Sequence, residues 1–226
     1  SAYYEGYSLD IILIGENTVT AADAVADYSF GIYVSSRLTI NGDGLTVESK
    51  NATIDSCGIF AVWELSISSG TINAVAGDAV TNSCGIGTNE TIIISGTNTS
   101  VTAMGGNASN GNSSGIASVS GKVEISGGTV KAYGKTAAAS DASDTTTGIS
   151  HGIGAVGGVT ISGGTITANA YTTDSDSANY NSYGIGSEGT ITISGGTIVA
   201  NGGLAVNGES FGIGTTGDFD ISGAAD

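Results

Sequence analysis

The sequence predicts an all-β fold: a right-handed parallel β-helix of about eight coils, each with three short strands. Two observations carry this reading, an internal repeat and a period-2 alternation inside each copy. A Gly-Ile pair recurs seven times at repeat spacing, with its isoleucine at 32, 59, 86, 116, 153, 185 and 213. A second isoleucine follows eight residues later, or nine in one copy, as Ile40, Ile67, Ile94, Ile125, Ile161, Ile193 and Ile221. Ile14 reads as the start of an eighth, partial copy, so the second row is spaced by 26, 27, 27, 31, 36, 32 and 28 residues.

The best-formed copies are GIGAVGGVTISGGTITA (152–168) and GIGSEGTITISGGTIVA (184–200). Each holds three short alternating stretches separated by Gly-containing corners, too short to form a self-sufficient hairpin core. Stacking solves this, because each strand then pairs in parallel with its counterpart one coil away, about 4.8 Å distant. Period 2 assigns the inward side chains. On the second strand these are Leu38, Leu65, Ile92, Val123, Val159, Ile191 and Phe219, with the isoleucine ladder. On the third they are Val19, Leu45, Ile72, Val101, Val130, Ile166 and Ile198, ending on a mostly alanine row from Ala21 to Ala200.

The chain reads as one domain over 1–226, with 1–10 as an N-terminal cap segment. Ser1 reads as a processed or engineered start, and Ile221-Ser222-Gly223 as a stop in mid-repeat, either a cut or the end of the solenoid. The 226 residues include 38 Gly and no Pro, with 21 acidic against 5 basic residues and a net charge of −16. That field repels nucleic acid and anionic lipid, and excludes both as partners. No apolar stretch reaches membrane-spanning length, so membrane insertion is not expected.

The residue two before each Gly-Ile isoleucine is expected to face inward. This row is Phe30, Cys57, Cys84, Ser114, His151, Tyr183 and Phe211. It makes His151, the only histidine, a core-lining residue rather than a catalytic one. Cys57 and Cys84 lie one coil apart and stack directly, as either a disulfide or two buried thiols. Tyr33, Phe60 and Trp63 fall on outward or corner positions. Exposed rings there suit the apolar C–H faces of sugars; alternatively Tyr3-Tyr4-Glu5-Gly6-Tyr7 packs over them as a cap.

Length variation concentrates at the corner after the third strand. Ala132 to Ile153 takes 21 residues and Ala168 to Ile185 takes 17, against 11 to 13 elsewhere. Two adjacent long loops therefore project side by side, carrying Tyr133, Tyr171 and Tyr180 with Asp141, Asp144, Asp174 and Asp176. Insertions on one face of a repeat protein often form its binding face. The aspartates are candidate calcium ligands without a full EF-hand pattern, and solvated loops are the plain alternative. Lys131 and Lys135 are the best lyase base candidates, with nothing to pin their geometry. The outward row Thr18, Gly44, Thr71, Ser100, Thr129, Thr165, Thr197 raises an ice-binding reading, but Asn73, Lys131 and Val199 interrupt its partner row.

The phrases Gly-Ile-Gly, Ile-Thr-Ile-Ser-Gly-Gly-Thr-Ile and the final Ala, as at 185–200, resemble the β-helical carbohydrate-binding domain-containing surface proteins of clostridia-like anaerobic bacteria. The resemblance covers Ile11 to Gly223. It implies a pectate-lyase-like fold on a secreted or surface-attached protein, binding polysaccharide, in some members with calcium. The same phrases also resemble stalk segments of gut bacterial adhesins. The expected function is therefore an extracellular, non-catalytic polysaccharide-binding or adhesion module. A structural stalk segment and a calcium-dependent polysaccharide lyase are the alternatives.

Overall fold

The computed structural model describes residues 7–22, 27–138, 148–171, 181–205 and 208–223. In chain order its strands are β1 (Ser8–Thr20), β2 (Tyr28–Val34), β3 (Arg37–Glu48), β4 (Asp55–Ala61), β5 (Leu65–Ile67), β6 (Gly70–Val75), β7 (Asn82–Thr88), β8 (Ile92–Ile94), β9 (Thr99–Met104) and β10 (Ser113–Ser118). They continue as β11 (Val123–Ile125), β12 (Thr129–Tyr133), β13 (Ser150–Ala155), β14 (Val159–Ile161), β15 (Thr165–Asn169), β16 (Ser182–Ser187), β17 (Ile191–Ile193), β18 (Thr197–Asn201), β19 (Ser210–Thr215) and β20 (Phe219–Ile221). No helix occurs among the described residues, so none there is long and apolar enough to cross a membrane.

Every ladder between these strands is parallel and joins one turn to the next. The result is a β-solenoid of about seven turns, close to the expected eight, and about 30 Å long at the usual strand spacing. One face is the sheet β19-β16-β13-β10-β7-β4-β2. The other two faces share β3, whose first half pairs with β5 and second half with β6. The isoleucines stack as the repeat requires: Ile125 pairs with Ile161, and Ile161 with Ile193.

Both rows line one apolar core. Ile59, Ile86, Ile116, Ile153 and Ile185 are fully buried, as are Ile40, Ile67, Ile94 and Ile161. Each such side chain stabilises by roughly 1.5–3 kcal/mol, a large share of a typical net stability of about 5–15 kcal/mol. Burial fades at the last turn, where Phe219 is half exposed and Ile221 is 65 % exposed, because no described strand lies beyond β20.

Glycine permits the tight cross-section. Gly152 faces into the coil where β13 meets β15 backbone to backbone. A Cβ there would sit 2.5 Å from Asn169 N and 2.6 Å from Gly184 O. At the corner before each third strand, Gly164 and Gly196 adopt φ of 95°, a left-handed conformation that suits glycine.

The first turn departs from the expected register. Ile11, not Ile14, pairs with Ile40, and Ile14 is 86 % exposed. Val19 pairs with Val47 rather than Leu45, which Asn17 faces instead, and Thr18 pairs with Thr46 rather than Gly44. The expected pairing sets the strands 26 residues apart, whereas the offset is 29 up to Leu13 and 28 from Glu16; the bulge between them, three residue steps against two on β3, accounts for the one-residue change. Gly15 occupies the bulge at φ 69°, its N–H donating to Asp43 Oδ2 at 2.8 Å. The stretch expected as a cap also overlaps this strand, since Ser8–Asp10 already pair with Arg37–Thr39.

Two substitutions test this packing. Ile161→Asp places an unpaired carboxylate in the apolar column and is expected to abolish soluble expression. Gly152→Ala is expected to cost about 1–3 kcal/mol in chemical denaturation, since the backbones must part to admit a methyl group.

Candidate functional site

The strands of the seven-stranded face share the motif Ser-x-Gly-Ile in all seven copies. Ser56, Ser83, Ser113, Ser150 and Ser182 point inward and are fully buried. Each secures a corner: Ser83 Oγ donates to Gly77 O at 2.8 Å and accepts from Gly106 N at 2.6 Å. Ser113 likewise donates to Gly106 O at 2.7 Å and accepts from Lys135 N at 2.7 Å. This ladder was legible in the sequence, as a serine three residues before every repeat isoleucine.

The glycine and the isoleucine of the motif both face inward, which resets the alternation. The ladder has no Cα partner at the glycine but resumes at the isoleucine. The residue between serine and glycine therefore points outward, which corrects the expected inward row. Its side chains fold over the positions just after the isoleucines. A Cβ on Gly87 would lie 2.8 Å from Cys84 Sγ and 3.3 Å from Cys57 Sγ; one on Gly186 would lie 2.6 Å from the His151 ring. Phe30, the cysteines, Ser114, His151, Tyr183 and Phe211 thus form an external ridge, not a core row.

At the N-terminal end of this ridge the rings gather. Tyr28 stacks on Phe30 at 6.2 Å between centroids, and Phe30 tilts against Tyr33 at 5.1 Å and Phe60 at 5.7 Å. Tyr33 and Phe60 are parallel to within 3° and offset, with centroids 6.1 Å apart. Tyr28 and Tyr33 remain more than half exposed. Tyr28 and Phe30 join the expected pair because Phe30 faces outward and Tyr28, two residues before it on β2, shares its side. Trp63 is also exposed, at the corner beyond Phe60, but makes none of these ring contacts. Tyr7, the described residue of the proposed covering segment, is exposed rather than packed on the cluster.

Cys57 and Cys84 are joined in a disulfide with Cα atoms 4.7 Å apart. Of the two sequence alternatives, bonded or free, the structure has the bonded form. The bridge ties the first full turns together directly beside Phe60, whose Cδ2 would lie 2.9 Å from a Cβ on Gly87.

At the other end His151, Tyr183 and Phe211 stack at 5.4 Å per step, with planes within 16°. Burial between these layers pushes the His151 imidazole down to about 4. Burial, then the Glu209 carboxylate, raises the Tyr183 phenol. A neutral histidine here is an aromatic spacer in a stack and touches no described acid–base partner.

The long-loop candidates do not assemble among the described residues. Tyr133 ends β12, half-buried between Met104 and Asn169, and Tyr171 is exposed two residues past β15. No ring contact joins them among the described residues. Tyr180, Asp141, Asp144, Asp174 and Asp176 lie outside the described residues, and no group of three potential metal-ligating side chains occurs within them. Lys131 is exposed between Thr102 and Thr167, in the predicted outward row. No protein-family model, curated protein or solved structure matches the chain.

Two consequences are measurable. Replacing both cysteines with serine is expected to cost about 3–4 kcal/mol, the closure entropy of a loop of this length. His151 titrates at 6.5 when unfolded and about 4 when folded, so its contribution is complete above pH 6.5. It is lost as pH falls from 6.5 towards 4, amounting to about 3 kcal/mol. The stability difference between wild type and His151→Phe should therefore move in favour of the variant by about that amount between pH 7.5 and pH 4. A pH-independent difference would contradict the buried neutral ring.

Proposed function

We propose that the chain is a non-catalytic, extracellular or cell-surface module that binds polysaccharide through the outer ring cluster of Tyr28, Phe30, Tyr33 and Phe60. The observation that carries this reading is the pair Tyr33 and Phe60. They are parallel to within 3°, on neighbouring turns, with Tyr33 53 % exposed. Rings held this way offer flat apolar area at low entropic cost, since the backbone ladder and neighbouring rings fix them before a ligand arrives. A pyranose presents a matching apolar C–H face. The likeness to carbohydrate-binding β-helical surface proteins supports the same reading, as does the disulfide, which suits an oxidising compartment.

The regular ladder from turn to turn also suits a stalk segment of an adhesin, which needs length and stiffness but no ligand. Affinity gel electrophoresis on a panel of soluble polysaccharides, with and without calcium, separates these readings. Retardation on at least one neutral or acidic glycan is expected, and Tyr33→Ala should weaken it about two- to tenfold, the worth of one aromatic contact. Migration unaffected by every glycan would favour the stalk. Release of unsaturated products from uronate polymers would establish the lyase instead.

A further inference from the structure

The charges bordering the ring cluster bear on which polysaccharide it takes. Asp55 is paired with Tyr28 across the ladder, so its carboxylate shares a face with that ring, and Asp27 directly precedes Tyr28 at the start of the same strand. Both are hydrogen-bonded: Asp27 Oδ1 accepts from Thr53 Oγ1 at 2.9 Å, and Asp55 Oδ1 accepts from the backbone N–H and side-chain amide of Asn82, each at 3.0 Å. Glu64 follows Trp63 at the opposite border. Residues 27–64 hold five acidic side chains (Asp27, Asp43, Glu48, Asp55, Glu64) against Arg37 and Lys50. Arg37 lies outside the face, at the start of β3, and Leu38 N bonding to Glu64 O puts Arg37 level with that carboxylate.

We infer that the cluster selects neutral polysaccharides, those whose sugars expose an apolar C–H face and carry no carboxylate, and rejects polyuronates. This deepens the polysaccharide-binding reading and rests on it. Stacking requires the sugar to approach within van der Waals contact of Tyr28 and Tyr33. A uronate at that distance meets the Asp55 carboxylate at close range, with Asp27 next to Tyr28 in the chain. Hydrogen bonds orient both carboxylates, Asp27 towards Thr53 and Asp55 towards Asn82. A neutral sugar meets the same carboxylates as hydrogen-bond acceptors for its hydroxyls, which adds to the stacking.

The test uses the intact 226-residue protein in affinity electrophoresis against a neutral β-glucan, a xylan and a galactomannan, with polygalacturonate and alginate as acidic probes. At low ionic strength at least one neutral polymer is expected to bind at least about tenfold more tightly than either polyuronate. Raising salt from about 0.01 M to about 1 M shortens the screening length from about 30 Å to about 3 Å and should narrow that gap. The double substitution Asp27→Asn, Asp55→Asn keeps the acceptor oxygens and is expected to admit polygalacturonate at low salt. Wild-type binding of polyuronate as tight as neutral polymer overturns the inference while leaving the ring cluster as a glycan site. So does rejection of polyuronate that survives both high salt and the double substitution. Absence of retention on every polymer, or retention indifferent to Tyr28→Ala with Tyr33→Ala, overturns the ring cluster as a glycan site and the inference with it.

Discussion

The backbone-to-backbone approach inside each turn, at the glycine of the Ser-x-Gly-Ile motif, is the constraint from which the rest of this structure follows. At Gly58, Gly115 and Gly152 the first strand of a turn lies against its third strand with no room for a side chain. The narrow cross-section that results lets one layer of isoleucine, leucine, valine and alanine line the column. A wider coil would need larger side chains or water at its centre. The serine two residues before each glycine completes the arrangement, because the corner it fastens carries backbone groups that the parallel ladders do not reach.

The same glycine decides what the outer surface looks like. Two successive inward residues displace the preceding side chain to the outside, where the next row is largely glycine and alanine from the third turn onward. Side chains of that ridge therefore lie flat against the sheet and stack on one another from turn to turn. Where the underlying row turns to Tyr33 and Phe60, the layer thickens into a ring cluster with exposed faces. Where it is Gly154, Gly186 and Gly214, the rings of His151 and Tyr183 sink onto the backbone. One repeating geometry thus yields two different aromatic surfaces. The thicker one lies beside the disulfide and is bordered by Asp27 and Asp55, and it is the surface proposed for recognition.

The acidic surface and the apolar column do separate work. A net charge of −16 around a β-rich protein opposes edge-to-edge association of its strands.

Much of this was determined by the sequence alone. The isoleucine period specifies stacking, since side chains one repeat apart can be buried only against one another. The same period brought Cys57 and Cys84 to bonding distance and Tyr33 beside Phe60. Only tertiary structure decided the face of Phe30, His151 and Tyr183. Alternation counts residues along one strand, whereas the reset at glycine comes from contact with another strand of the turn. The register of the first turn was likewise hidden, because Ile11 and Ile14 are equally apolar in the sequence while the pairing with β3 packs Ile11 against the core and leaves Ile14 exposed. Trp63 illustrates the same limit: its position in the chain places it next to Phe60, but the corner it occupies turns it away from the stacked rings.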